Sequence, residues 1–189
     1  LSVVREFVKP NDIVWDVGAN VGVFGWAAAG RSAAVLAIEP DPWLASLLRS
    51  SERLETNRHL KFQTLSAAIS DHNGVGNLMI AKRGRASNAL VSAGGNENMG
   101  GVREIVSVPM LTLDTLLDEC GSPNFVKIDV EGAEFLVLKG GCRILRESRP
   151  KWLVEVNSTN SPAVTQMFRD ANYLIYDAQQ PAASRVPLE

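Results

Sequence analysis

The chain has 189 residues, 46% of them hydrophobic and 21% charged, with a formal net charge of -2, which fits one globular domain over 1–189 with a sizeable core. The slight acidity and the scattered basic residues exclude a nucleic-acid footprint, and no apolar run reaches the ~18 residues a membrane-spanning helix needs. With no basic-then-apolar leader the expected compartment is the cytoplasm, and Cys120 and Cys142, far apart and without nearby histidines, read as buried or partly buried free thiols, not as a zinc site.

The apolar residues 13–15 predict a central strand over 13–17 that runs into the turn Asp16-Val17-Gly18-Ala19-Asn20-Val21-Gly22, followed by a small-residue helix over 21–30. Gly18 and Gly22 let the backbone bend sharply and approach a ligand. A second strand is predicted over 34–38, closed by Glu39 and Pro40, and then a helix that starts at Pro42 and carries Leu44, Leu47, Leu48 and Leu54 at helical spacing. A third strand is predicted over 61–69. The pattern then changes: 70–74 reads as a turn, 76–81 and 103–110 read as extended, and 94–101 between them is rich in glycine and asparagine. These features predict a β-hairpin-like insertion after strand 3 with a mobile tip. Regular alternation resumes with a helix over 113–119, a buried strand over 125–128, a helix over 133–146, a strand over 152–156, a helix over 162–171 and a strand over 173–176. Strands and helices in this order predict an α/β fold with a doubly wound, mostly parallel sheet and helices on both faces.

In such a sheet a ligand lies beyond the carboxyl ends of the strands, so the acids at those ends are the candidates. The first turn carries G-x-x-x-G and an aspartate, where a dinucleotide fingerprint has three glycines and no acid. Asp16 repels phosphate, but it accepts hydrogen bonds from an ammonium group or fixes the loop that receives one. This favours a ligand with a cationic amino acid tail, such as S-adenosylmethionine. A loop-capping aspartate is the other reading, and the two roles are compatible. Glu39 follows about 20 residues later, where an acid in adenosine-binding folds accepts hydrogen bonds from both ribose hydroxyls. Pro40 stiffens the exit, and the alternative for Glu39 is a solvated turn carboxylate.

A second dense segment, Asp129-Val130-Glu131-Gly132-Ala133-Glu134, ends a strand in three carboxylates. Asp129 and Glu131 point to one side if the extended geometry persists, whereas Glu134 falls in the first turn of the next helix and complements its dipole. If the strand over 152–156 is the neighbour, Glu155 ends beside Asp129 with Asn157 just beyond. Asp129, Glu131 and Glu155 then form an acidic rim in which crowding raises the proton affinity of one carboxylate and suits it to act as a general base. Mutual solvation by loop amides and a divalent ion on oxygen ligands are the alternatives, and no residue is assigned here as a metal ligand. His59 and His72 read as solvated or capping residues, and the four tryptophans as core or helix-packing residues. Ser87 and Asn88 with the 94–101 loop read as a lid over an acceptor.

Taken together, DVGANVG at 16–22, IEP at 38–40, LTLDTLL at 111–117, VKIDVEGAEFLVLKGG at 126–141 and LVEVN at 153–157 resemble the FkbM-type S-adenosylmethionine-dependent methyltransferases. The resemblance spans 14–176 and implies a Rossmann-like class I methyltransferase fold, S-adenosylmethionine as methyl donor, and O-methylation of a hydroxyl on a small molecule, natural product or sugar. By the same likeness Asp16, Gly18, Ala19, Asn20 and Gly22 form the cofactor loop, and Glu39 with Pro40 holds the ribose. Ser66, Ala67 and Ala68 pass the adenine, and Asp129 lies near the transferring methyl. The chain departs from that pattern at its end, where the short, proline-rich 181–189 supplies no convincing last strand. Two other functions compete: an NAD-type oxidoreductase, against which the glycine pattern counts, and a cofactor-binding module without transfer activity, against which the acidic rim counts.

Overall fold

A computed structural model describes residues 2–94 and 99–188. In chain order the elements are α1 (Ser2–Phe7), β1 (Ile13–Val17), α2 (Val23–Ala29), β2 (Ala34–Ile38), α3 (Pro42–Glu52), β3 (Phe62–Leu65), β4 (Ala68–Ile69), β5 (Gly74–Ala81), β6 (Ala89–Leu90), β7 (Val102–Leu111), α4 (Leu113–Cys120), β8 (Phe125–Ile128), α5 (Glu134–Lys139), β9 (Lys151–Val154) and α6 (Ser161–Asp170). Five strands form a parallel sheet in the order β3-β2-β1-β8-β9. Both of its faces are covered. Trp15, Val17, Leu36, Ile38, Val126 and Ile128 pack with residues of α4, α5 and α6, while Val14, Val35, Ala37 and Phe125 pack with residues of α1, α2 and α3. That arrangement is why the central strands read as nearly continuous apolar runs instead of an alternation. Asp16 and Lys127 interrupt those runs, directly opposite each other in the β1–β8 register, on the α1–α3 face.

The insertion is larger than a hairpin. β5 and β7 make the long antiparallel pair, but β6 adds to β5 and β4 pairs in parallel with β7, which gives a four-stranded sheet with its own core of Ala68, Leu78, Ile80, Leu90, Val108 and Met110. The predicted strand over 61–69 is therefore two strands. β2 ends opposite Leu65, so the residues beyond have no partner in the main sheet, and Ala68 and Ile69 satisfy their backbone groups on β7 instead. Half of the predicted mobile tip, 95–98, lies outside the described residues.

Three other expectations change. The helix predicted over 133–146 stops at Lys139 and the chain continues into a π-helical turn, Ile144–Ser148; at the break Gly140 packs so closely on Ser70 that a Cβ there would overlap the Ser70 carbonyl. The strand predicted over 173–176 makes only one isolated bridge, Tyr176 to Pro187, while Tyr173 and Ile175 pack on the core, so among the described residues the main sheet stops at β9. Cys120 and Cys142 are exposed free thiols, and Trp43 is exposed instead of packed in the core. Among the described residues no helix is long and apolar enough to cross a membrane.

Candidate functional site

The carboxyl ends of β1, β2 and β8 form the floor of a cleft with about 610 Å³ of empty space, a volume that includes open solvent. Gly18, Asn20, Glu39, Pro40 and Asp129 border it, and Ala67 and Ala68 form a side wall. Asp16, Ala19, Gly22 and Ser66 do not border it. The loop after β1 is shaped by backbone pairing: the Gly18 and Ala19 N–H groups both donate to the Ile38 carbonyl at the end of β2, and Gly18 adopts φ +75°, which favours glycine. Asn20 also lies in the left-handed region, at φ +54°, which asparagine tolerates better than most residues.

Asp16 supports this loop from beneath. Its carboxylate is fully buried, accepts the Gly25 N–H at the start of α2 at 3.0 Å, and lies 3.2 Å from the Lys127 ammonium. Burial pushes its carboxyl upward, and the Lys127 charge opposes that push. The contacts of Asp16 run to α2 and to Lys127, which in turn donates to the Gly18 carbonyl of the loop. Glu39 is different because it is buried yet borders the cleft. One of its oxygens accepts the Asn20 N–H at 2.7 Å and the other the Asp41 N–H at 2.9 Å, so it joins the β1 loop to the exit of β2. Burial raises its carboxyl to about 7, against the opposing pull of those two N–H donors.

The insertion roofs the cleft with Leu78, Arg85, Ala86, Asn88 and Leu90. It is latched by Asp41, a fully buried N-cap of α3 whose Oδ1 accepts the Trp43 and Leu44 N–H groups, while its Oδ2 accepts Arg85 Nη1 at 2.5 Å and Asn88 Nδ2 at 2.7 Å. The Arg85 guanidinium also lies 5.0 Å from the Trp43 ring centroid. At the far side of the roof, the Ala93 carbonyl comes close to Gly132. Asp41→Ala is therefore expected to cost about 2–4 kcal/mol in chemical denaturation, the sum of a lost cap and two donors left without their acceptor. A loss below about 1 kcal/mol would show that the latch adds nothing beyond an ordinary cap.

The acidic turn after β8 is built tightly. Glu131 has φ +50° and Gly132 φ +99°, so the extended geometry ends at once. Glu134 is buried and accepts the Gly132 N–H, and Asn160 Nδ2 donates both to the Gly132 carbonyl and to Glu134. Asp129 and Glu131 border the cleft. Glu155 follows in the ladder beside Asp129, its N–H donating to the Ile128 carbonyl, but its side chain is exposed and does not border the cleft. His59 and His72 are exposed and stand apart from the cleft, with His72 paired to Asp71. Among the described residues no three His, Cys, Asp or Glu side chains gather as a metal would require. The sequence reading did not single out Lys127, Asp41, Arg85 or Asn160. Lys127 carried the one available signal, a lone charge inside an otherwise apolar strand.

The methyltransferase FkbM domain matches residues 16–176. The hexuronic acid methyltransferase AglP of Haloferax volcanii is 27% identical over 176 residues, which cover 90% of this chain and 67% of that protein. Among solved structures, precorrin-6y C5,15-methyltransferase from Geobacter metallireducens is similar with a TM-score of 0.57 at 12% identity, over 93% of this chain and 71% of that one. Precorrin 8w decarboxylase from Methanobacterium thermoautotrophicum is similar with a TM-score of 0.52 at 12% identity, over 99% and 82%. Those two likenesses show the fold alone. The domain match begins at the aspartate beneath the loop and runs through both strand-end acids and the acidic turn, so the chain belongs to the FkbM methyltransferase domain family, on a Rossmann-like methyltransferase fold.

Proposed function

We propose that this chain is an S-adenosylmethionine-dependent O-methyltransferase whose acceptor is a hydroxyl on a sugar or another small molecule. The observation that carries the reading is Glu39, a buried carboxylate at the edge of a cleft that has a small or apolar side at Ile38, Ala67, Ala68, Leu78 and Leu90. A carboxylate there suits a ribose diol, and the apolar slot beside it suits an uncharged planar base. The cleft thus fits the cofactor, which Gly18 and Asn20 would hold by their backbone carbonyls and Glu39 by its side chain. When bound, the cofactor supplies an electrophilic methyl group on a sulfonium sulfur.

The residues of this chain then have three tasks. The loop and Glu39 fix the donor, which lets alignment supply part of the roughly 7–11 kcal/mol available to an ideally oriented reaction. The roof excludes water. A carboxylate of the acidic turn accepts the proton of the acceptor hydroxyl, a role typically worth ~10²- to 10⁴-fold, and Asp129 and Glu131 are the two that border the cleft. The sugar acceptor is supported by the relative from Haloferax volcanii, whose name specifies a hexuronic acid.

The test is ligand binding. S-adenosylhomocysteine at about 100-fold over its dissociation constant is expected to stabilise the fold by about 2.7 kcal/mol and to raise the melting temperature by several degrees. NAD at the same concentration is expected to leave it unchanged. A shift with NAD and none with S-adenosylhomocysteine would replace this reading with an oxidoreductase.

A further inference from the structure

The proposed function leaves the buried cation Lys127 without a task. Lys127 has a side chain only 12% exposed, and its ammonium meets three acceptors: Asp16 Oδ1 at 3.2 Å, Asp129 Oδ2 at 3.2 Å and the Gly18 carbonyl at 2.9 Å. It therefore joins the support of the cofactor loop, the loop itself and the acid at the end of β8. Two of these partners, Gly18 and Asp129, border the cleft, and the third is buried behind them. We propose that Lys127 is a positioning residue that sets the charge at the reacting end of the cleft and thereby limits how strongly the site prefers a sulfonium ligand over the thioether it becomes. This inference builds on the S-adenosylmethionine reading.

The two carboxylates and the ammonium carry a net charge of -1, with the positive group between an anion behind the loop and an anion at the cleft. The Asp129 side chain is 38% exposed, so water screens it in part, but a unit charge a few ångströms away still acts on a ligand in the cleft. Without the ammonium the Asp129 charge is uncompensated, and the cleft becomes more negative. The direction is the same if Asp16 then takes up a proton, since Asp129 still loses its counter-charge. A more negative cleft favours the positively charged sulfonium and does nothing for the neutral thioether. An enzyme so altered would hold its substrate form of the cofactor harder and gain nothing toward the transition state, where the sulfonium charge is vanishing.

Calorimetric titration of S-adenosylmethionine and S-adenosylhomocysteine into wild type, Lys127→Met, Lys127→Arg and Asp129→Asn tests this. The ratio of the two affinities is expected to move several-fold toward the sulfonium in Lys127→Met, several-fold away from it in Asp129→Asn, and back to the wild-type value in Lys127→Arg. A lysine that only supports the fold lowers both affinities in parallel, and an unchanged ratio in Lys127→Met overturns the proposal alone. If Lys127→Met does not fold, Asp129→Asn decides, and an unchanged ratio there overturns it equally. Wild-type protein that binds neither ligand overturns the underlying reading and the proposal with it.

Discussion

Glu39→Ala is expected to weaken S-adenosylhomocysteine binding by about 100-fold or more. Hydrogen bonds to a charged acceptor contribute about 1.5–3 kcal/mol each, and a ribose offers two hydroxyls to this carboxylate. The truncation also leaves the Asn20 and Asp41 N–H groups without their acceptor, so the loop and the exit of β2 lose the link that aligns them. The wild-type protein carries a pH signature of the same residue. Burial raises the Glu39 carboxyl to about 7 from an ordinary value of 4.5, so the folded chain retains a proton that the unfolded chain releases. That contribution to stability, about 3 kcal/mol, is fully present below the unfolded value and is lost as pH rises through the folded value of about 7. Ligand affinity runs the other way, because the ribose donors need the ionised form. Affinity is expected to fall by up to ~10-fold per pH unit below about 7, and Glu39→Gln is expected to abolish the slope. Calorimetry across that range checks both, and a flat wild-type profile would show that Glu39 does not face the ribose.

Gly18→Ala is expected to have the largest effect on stability. At φ +75° an alanine costs about 1–2 kcal/mol before any contact is counted. The larger obstacle is that its Cβ would overlap the Asp129 carbonyl group, part of the backbone segment that carries the acidic turn, besides pressing on the Val130 side chain. No side chain can swing away to relieve this, so β1 and β8 must part at their carboxyl ends, and the Lys127 bond to the Gly18 carbonyl is strained with them. A total loss above about 4 kcal/mol is expected, enough to leave little of a marginal fold. Gly94→Ala is the control. Gly94 lies in the left-handed region at φ +84° with nothing within 4 Å of an added Cβ, so it should lose only the conformational cost. Urea unfolding of the two variants separates them, and equal losses would mean that the contact with Asp129 is readily relieved.

What the sequence by itself determined is local or nearly so. β1, β2 and β8 lie within the predicted bounds, because a strand buried on both faces writes itself as an apolar run that turn residues close off. The glycine turn, the acid after β2 and the acidic turn were legible for a related reason, since glycines at positive φ and acids at strand ends mark where backbone bends and ligands approach. Tertiary structure decided which of those acids border the cleft. Asp16 lies beneath the loop and Glu155 on the surface, whereas Glu39 and Asp129 line the cavity, a distinction fixed by sheet order and register and by no spacing in the chain. It also decided that Lys127 lies opposite Asp16, that residues around Ser66 leave one sheet for another, and that Arg85 and Asn88 close on an aspartate more than 40 residues earlier. A helix period or a strand alternation reports neighbours a few residues apart, whereas the partner of a buried charge depends on which strands lie side by side, and only the folded sheet brings those together.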